Sequence, residues 1–262
     1  MFVFVTILCV FVAYIVSIKF VYCRYRQLWP HMRDKISTPL HTGGNKQFCP
    51  TQERSNVHLR NSEEKVRMRS TGIRALLVTA HPDDECMFFA PTVLNLVESK
   101  VDVHLLCLST GRELPDDPTV QWSTALISSL ILKHIKNYTI SLVLTFDGRG
   151  VSGHANHTVI YKALSHLASS GRLPLGCQVF SLHTISLLRK YLSVFELPVS
   201  WLLPSDLCCI IGWEEYKRAK KAMLCHHSQL LWFRRLYILF SRYMFINTFQ
   251  AVAVETKNVK MY

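Results

Sequence analysis

The feature that most constrains the fold of this chain is a short acidic motif placed directly after an apolar run. Residues 73–79 are typical of a buried strand, and the hexapeptide AHPDDE follows at 80–85. Pro82 suits the first position of a helix, where an N–H has no intrahelical use. The sequence therefore predicts a buried strand that turns abruptly into a helix.

The polar side chains of this turn are of the types that bind metal ions. In open α/β sheets, ligands bind at the carboxyl ends of the strands. His81 and Asp84, three residues apart around the turn, can both point at one cation. Asp83 projects elsewhere and is left free to act on a metal-bound water. The alternative is that the carboxylates only favour the helix N-terminus electrostatically.

A second segment repeats the same order of strand, turn and helix. The apolar run 141–146 reads as a buried strand, and a glycine-rich turn follows at 147–153. His154 and His157 then open the helical stretch 158–164. Because both motifs lie at carboxyl ends of strands, the two strand ends can converge on one metal.

Apolar runs alternate with helical stretches from residue 72 onward. Strands are predicted at 75–79, 103–108, 142–146, 178–182 and 207–211, and helices at 88–99, 124–135, 158–169 and 214–244. This alternation predicts an α/β fold with a Rossmann-like, mostly parallel sheet flanked by helices. No G-x-G-x-x-G follows the first strand, and residues 150–154 lack the G-x-S-x-G spacing, which argues against a dinucleotide enzyme and a serine hydrolase.

The N-terminus reads as a single transmembrane helix. Residues 1–18 are uncharged and almost wholly apolar, and Lys19 can reach the headgroups. A cleavable signal peptide is the competing interpretation, but no basic segment precedes the apolar run and no small-x-small cleavage site follows it. The nearest basic residues all follow the run, which predicts a cytosolic domain.

Four regions are predicted along the chain. Residues 1–23 form the transmembrane anchor, 24–71 a basic and partly disordered linker, 72–250 the catalytic domain, and 251–262 a tail. The net charge of +12 lies on either side of residues 75–213, which themselves hold 9 basic and 11 acidic side chains. No nucleic-acid recognition module is present, so the basic flanks favour anionic lipid headgroups as partners. Nine cysteines without a C-x-x-C pair suit a reducing compartment.

Several phrases together resemble a known enzyme family. They are HPDDE at 81–85, PDDP at 115–118, GVSGHANH at 150–157, LRKY at 188–191 and the long segment 219–247 with SQLLWFRRLY at 228–237. The chain resembles the LmbE-like zinc deacetylases and, more narrowly, the N-acetylglucosaminyl-phosphatidylinositol de-N-acetylases of glycosylphosphatidylinositol (GPI) anchor synthesis. The resemblance covers roughly residues 75–247.

The resemblance implies a function and a role for each site residue. His81, Asp84 and His157 would bind Zn²⁺ or another divalent metal, Asp83 would be the general base and acid, and His154 would stabilise the oxyanion. The products would be acetate and a free glucosamine amine of the glycolipid, made on the endoplasmic reticulum membrane. Deacetylation of another N-acetyl sugar conjugate is an alternative.

One departure from the family pattern concerns the region after the second strand. In the family this strand continues into a helix and another strand, whereas here residues 110–111 run straight into 112–118. About one βαβ unit, on the order of thirty residues, is absent. All the metal-binding motifs are retained, so a catalytically impaired isoform or a non-enzymatic membrane-anchored variant of the same fold is the main alternative.

The predicted last helix, 214–244, divides into a basic amphipathic half and an aromatic half. One interpretation is that it packs on the core like any terminal helix. The other is that it lies in the membrane interface, with aromatic rings at headgroup level and arginines on phosphates. His226 corresponds to a position near the active site of the family, although by itself it reads as a helix-surface histidine.

Overall fold

The computed structural model describes residues 2–37, 72–109, 114–115 and 120–254. Its α-helices are α1 (Phe2–Ser37), α2 (Asp84–Phe88), α3 (Ala90–Glu98), α4 (Thr124–Asn137), α5 (Gly150–Gly153), α6 (Ala155–Ser169), α7 (Leu187–Lys190), α8 (Leu197–Leu202), α9 (Trp213–Leu224) and α10 (Trp232–Phe240). Its strands are β1 (Arg74–Thr79), β2 (Asp102–Cys107), β3 (Leu142–Phe146), β4 (Gln178–Leu182), β5 (Leu207–Ile210) and β6 (Ile246–Ala251). Short 3₁₀ turns lie at Ser193–Glu196, His227–Gln229 and Arg242–Met244.

The strands form one sheet in the order β2-β1-β3-β4-β6-β5. Neighbouring strands from β2 to β4 pair in parallel, and β6 is antiparallel to both β4 and β5. The predicted mostly parallel sheet flanked by helices is confirmed, and the five predicted strands begin within one residue of the observed ones. The sequence reasoning missed β6, which lies between the predicted last helix and the tail.

Helices cover both faces of the sheet, because the central strands are apolar on both faces. In β1, Ala75 and Leu77 belong to one core layer and Leu76 and Val78 to the other. Helices α3 and α9 bury side chains in the first layer, and α4 and α6 in the second. The carboxyl ends of β1 and β3 therefore open side by side at one edge of a rigid core.

Helix α1 is much longer than the predicted anchor. Its stretch Val3–Met32 is long and apolar enough to be a candidate membrane span. Further along the helix, however, Tyr25 is fully buried in the domain core, and the Trp29 indole donates a hydrogen bond to Ser99 Oγ (2.9 Å). The start of the expected linker, 24–37, is thus helical and partly packed on the domain, and 38–71 lies outside the described residues.

The single helix expected at 214–244 is instead two helices, α9 and α10. They are separated by 225–231, which contains the 3₁₀ turn His227–Gln229. Tyr216, Ala219 and Met223 bury one side of α9 in the core. A continuous helix would carry the aromatic half away from the domain, whereas the break brings α10 back towards the carboxyl end of β1.

Strand β2 is one of the two edge strands of the sheet within the described part of the chain. Its side chains are only partly covered, and Leu105 remains half exposed. Residues 110–113 and 116–119, where the missing unit is expected, lie outside the described residues. Strands β1 and β3, in the middle of the sheet, are buried almost throughout. Because the strands of a parallel sheet are normally covered on both faces, the exposure of Leu105 in β2 is unusual.

Candidate metal centre

The turn after β1 is held in a strained conformation that fixes two carboxylates. Asp83 has φ 100°, a left-handed value that costs a non-glycine residue about 1–3 kcal/mol. Asp84 Oδ2 accepts hydrogen bonds from the backbone N–H groups of Ala80 (3.0 Å) and His81 (2.8 Å). The Asp84 carboxylate is therefore oriented by its own turn, and Asp83 is turned a different way.

The loop after β3 is organised by Asp147. Its carboxylate accepts hydrogen bonds from the backbone N–H groups of Gly150 (3.0 Å) and Thr184 (2.7 Å). Gly150 has φ +61°, and its carbonyl accepts a hydrogen bond from His157 Nδ1 (3.0 Å). The ring of His157 also stacks on Phe146 with ring centroids 3.8 Å apart. Together these contacts fix both the position and the tautomer of His157, leaving Nε2 to face the site.

The three predicted ligands meet at distances suited to a tetrahedral metal. Asp84 Oδ2 lies 3.3 Å from His157 Nε2 and 3.6 Å from His81 Nδ1. Ligand atoms about 2.0–2.1 Å from a tetrahedral zinc ion are about 3.3–3.4 Å from one another. The spacing of these donors therefore fits one divalent cation between them.

The electrostatics of His157 support the same conclusion. Because Nδ1 donates to Gly150, the neutral ring presents a lone pair at Nε2, which is buried and has no hydrogen-bond partner among the described residues. A lone pair and a carboxylate oxygen 3.3 Å apart repel unless a cation or a proton lies between them. The site is thus built for positive charge.

Two contacts determine which ring nitrogen carries the proton in His81 and in His154. The side-chain amide of Asn156 lies 3.1 Å from His81 Nε2. With its oxygen turned towards that atom, the amide would accept a hydrogen bond from the Nε2–H of His81. The lone pair of the neutral His81 ring would then lie on Nδ1, where it can bind a metal. His154 Nδ1 accepts a hydrogen bond from the Asn156 backbone N–H (3.3 Å). The proton of neutral His154 therefore lies on Nε2, which makes this atom a donor rather than a ligand.

Distance alone would also allow a different ligand set. Donor atoms of His81, His154 and His157 all lie within 4.8 Å of one another. The helix-capping hydrogen bond of His154 argues against this set, because its Nδ1 already uses a lone pair to accept that bond. Nε2 would need a second lone pair to bind a metal, and a neutral histidine has only one. The arrangement of His81, Asp84 and His157 leaves each ring with an ordinary neutral tautomer.

All five predicted site residues line a single cavity of about 290 Å³. Its opposite wall comes from Gln229, Phe233 and Arg234, of which Arg234 forms an ion pair with Asp83. A carboxylate as buried as Asp83 needs such a partner. Sequence reasoning gave Gln229, Phe233 and Arg234 no role in the site, because their approach depends on the break between α9 and α10.

His226 lies behind the site rather than in it. Its Nε2 is 3.0 Å from Glu85 Oε1, and Glu85 Oε2 accepts a hydrogen bond from the Asp83 backbone N–H (3.2 Å). His226 thus ties the segment after α9 to the acidic turn after β1. Cys86 Sγ also lies 3.7 Å from the His226 ring, and burial first, then the neighbouring Glu85, raise the pKa of that thiol well above its usual range.

The family model and the curated relatives that match the sequence carry the same description. A family model described as GlcNAc-PI de-N-acetylase matches residues 76–115. The N-acetylglucosaminyl-phosphatidylinositol de-N-acetylase of Bos taurus is 43% identical over 217 aligned residues, covering 71% of this chain and 86% of the relative. The probable enzyme of that name from Schizosaccharomyces pombe is 30% identical over 223 residues, covering 70% and 87%. Among solved structures, the N,N'-diacetylchitobiose deacetylase of Pyrococcus horikoshii is 13% identical, with a TM-score of 0.48 over 78% of this chain and 99% of that one.

The bovine alignment also contains positions that this chain lacks. It extends over 217 positions, whereas 71% of the 262 residues here is about 186. The difference shows that about 31 aligned positions of the bovine protein have no counterpart in this chain. The match to the family model ends at residue 115, beside the point where the sequence predicts a missing unit.

Proposed function

This chain belongs to the N-acetylglucosaminyl-phosphatidylinositol de-N-acetylase family, and from that premise we propose that it removes the acetyl group of N-acetylglucosaminyl-phosphatidylinositol in a metal-dependent hydrolysis. The single observation that supports the metal requirement is the meeting of His81, Asp84 and His157 at ligand spacing, with a buried His157 Nε2 that has no hydrogen-bond partner in the described part of the chain. The substrate is taken from the names of the relatives. The reaction is an early step of GPI-anchor synthesis.

We propose Zn²⁺ as the metal, because two imidazoles and one carboxylate are typical zinc ligands. His81 Nδ1, Asp84 Oδ2 and His157 Nε2 would hold it. When bound, the cation would polarise the acetamide carbonyl and make a water molecule a stronger nucleophile. Asn156 and the Gly150 carbonyl orient the two histidine rings from behind, the kind of support that metal-binding histidines usually have.

The other residues of the cavity would move protons and bind charge. Asp83 would accept a proton from the attacking water and return one to the glucosamine nitrogen as the C–N bond breaks. His154 would donate its Nε2 proton as a hydrogen bond to the oxygen of the tetrahedral intermediate. Arg234, paired with Asp83 in the absence of substrate, would keep that carboxylate at the cavity wall.

We place the enzyme in the endoplasmic reticulum membrane as a single-pass protein with a cytosolic domain. Basic residues follow the candidate span, which favours retention of that side in the cytosol. The sequon at Asn156 supports this orientation, because its side chain is buried against His81 and a glycan there would prevent folding. Anionic headgroups are the proposed partners of the basic flanks.

A second candidate is a form that binds metal but turns over slowly. The shortfall of about 31 aligned positions and the exposed edge at β2 favour it. The metal needs only the two strand-end motifs, which are present. Substrate positioning is more sensitive to the missing block than metal binding is, because a small displacement of the substrate alone can lower the rate about 100-fold.

The function is tested by acetate release from glycolipid labelled in the acetyl group. Asp83→Asn should lower release about 10²–10⁴-fold while the metal content is unchanged, and chelation followed by zinc should remove and restore activity. Asp102→Asn, an exposed carboxylate at the start of β2, is the matched control and should behave like the parent. The assay is run on this chain and on a version carrying the missing block of the bovine relative. Release by neither version, or equal release by Asp83→Asn, would contradict the proposal.

A further inference from the structure

Helix α10 has its apolar side chains on the face turned away from the domain. Tyr237 and Ile238 are buried, and the Tyr237 hydroxyl donates a hydrogen bond to the Met87 carbonyl (3.1 Å). Apart from Arg235, every exposed side chain of the helix is large and apolar, each with 46–74% of its surface exposed: Trp232, Phe233, Leu236, Leu239 and Phe240. A helix on a soluble surface has polar residues on this face.

The segment 187–203 shows the same inverted distribution. Its charged Glu196 is fully buried, where it pairs with Arg189 and with Arg242 Nε (3.1 Å). All of its exposed residues are apolar or aromatic: Leu187, Leu188, Tyr191, Leu192, Phe195, Val199, Leu202 and Leu203. Exposed apolar patches of this extent mark sites of interaction. We call this set, together with the exposed side chains of α10, the apolar surface.

The two parts of the apolar surface are joined to each other and to the candidate span. Ser193 Oγ donates a hydrogen bond to the Leu239 carbonyl (3.1 Å), which links the segment 187–203 to α10. The Tyr14 hydroxyl donates a hydrogen bond to the Phe195 carbonyl. Tyr14 belongs to the apolar part of α1 and precedes Lys19 by five residues, about 7.5 Å of helix. The apolar surface therefore begins at the level where α1 leaves a bilayer.

Helix α1 fixes this orientation because it is packed on the domain. The Tyr25 hydroxyl accepts a hydrogen bond from Asn95 Nδ2 (2.7 Å), and Trp29 bonds to Ser99. Both contacts lie beyond Lys19, on the side of the domain. A span that continues into a docked helix holds the domain at one angle to the membrane, unlike a flexible linker.

The cavity opens beside the apolar surface. Phe233 both lines the cavity and contributes to the exposed face of α10. A volume of about 290 Å³ is at the small end of ligand sites, so it cannot hold the acyl chains of a phospholipid as well as a sugar. The acyl chains of a glycolipid substrate would remain outside the cavity.

We propose that the apolar surface lies in the headgroup region of the bilayer, so that a glycolipid enters the cavity by its sugar while its acyl chains stay in the membrane. This inference rests on the proposed function for the identity of the substrate, whereas the membrane contact itself rests on the packing of α1, α10 and the segment 187–203. The occupant of the surface is the lipid bilayer, and Arg235 at its border suits anionic phosphates.

Photo-crosslinking tests the contact without requiring turnover. The full chain is reconstituted in vesicles of phosphatidylcholine and phosphatidylserine, with a benzophenone amino acid at Leu236 or Leu202. The matched control is Leu175, an 88% exposed leucine in the turn before β4, at the opposite end of the sheet. Lipid adducts at the first two positions should exceed those at Leu175 by about tenfold, since an interfacial helix buries its apolar face among acyl chains.

Two outcomes would overturn the proposal. Equal lipid adducts at all three positions would show that the apolar surface faces water, and adducts to a polypeptide in place of lipid would show that a protein covers it.

Leu236→Asp combined with Leu239→Asp should lower turnover of substrate in vesicles more than turnover in detergent micelles. When both measurements are made on the version carrying the missing block, crosslinking without acetate release would contradict the proposed function alone, and acetate release without crosslinking would contradict the membrane contact alone.

Discussion

Gly150→Ala should weaken metal binding by displacing His157. A Cβ at this position would lie 2.9 Å from His157 Cβ, whereas carbon atoms in contact are about 3.5–4.0 Å apart. The separation must therefore grow by about 0.6 Å or more, and metal–ligand distances tolerate only about ±0.2 Å. In addition, an alanine at φ +61° costs about 1–2 kcal/mol of backbone strain. We expect zinc affinity to fall about 10–100-fold, the scale seen when a ligand loses its supporting contact.

Gly153→Ala is the matched control for this prediction. Gly153 also has a left-handed φ, +77°, but apart from its own local backbone and chain neighbours no heavy atom of the described residues lies within 4 Å of the added Cβ. Both variants should therefore unfold at lower temperature, and only Gly150→Ala should lose affinity in a zinc titration against a competing chelator. Unchanged affinity in Gly150→Ala would refute the assignment of His157 as a ligand. An equal loss in both variants would attribute the effect to loop strain.

Three further predictions concern the site and its surroundings. His154→Phe should lower turnover about 10²–10³-fold while zinc content is unchanged; loss of zinc would instead make His154 a ligand. Burial raises the pKa of Asp84, but its contacts with His157 and His81 outweigh this and hold that pKa well below its usual range. Ionised Asp84 therefore stabilises the metal-free fold at pH values above about 3.9, the pKa of the carboxyl in the unfolded chain. This stabilisation is lost as the pH falls through the lower pKa of the folded protein. The free energy of unfolding of Asp84→Asn should therefore depend less steeply on pH in acid than that of the parent. Asn137 and Asn156 each begin an Asn-x-Thr acceptor sequence for glycosylation. Neither should carry a glycan, and a mass shift on endoglycosidase treatment would contradict the cytosolic orientation.

The elements around the metal centre could be predicted because their signals are local. The buried strands β1 and β3 are continuous apolar runs, and His81, Asp84 and His157 follow them within a few residues. The rule that ligands bind at the carboxyl ends of parallel strands then places these side chains together. No long-range contact had to be inferred.

The remaining wall of the cavity depends on long-range packing, which sequence periodicity does not encode. The helix is interrupted at 225–231, and Arg234 reaches Asp83 from more than a hundred residues away. The prediction of one helix over 214–244 failed because both halves have helical periodicity, and neither glycine nor proline marks the break. Strand β6 was missed for a related reason, since its pairing with β4 and β5 is non-local.

The proposed substrate is tested most directly by the rescue of cells that lack this de-N-acetylase. Surface levels of GPI-anchored proteins are measured by flow cytometry at matched expression of this chain and of the version with the missing block restored. We expect rescue by the restored version and much weaker rescue by this chain, with zinc bound to both. Failure of both versions would contradict the substrate assignment, and equal rescue would contradict the importance of the missing block.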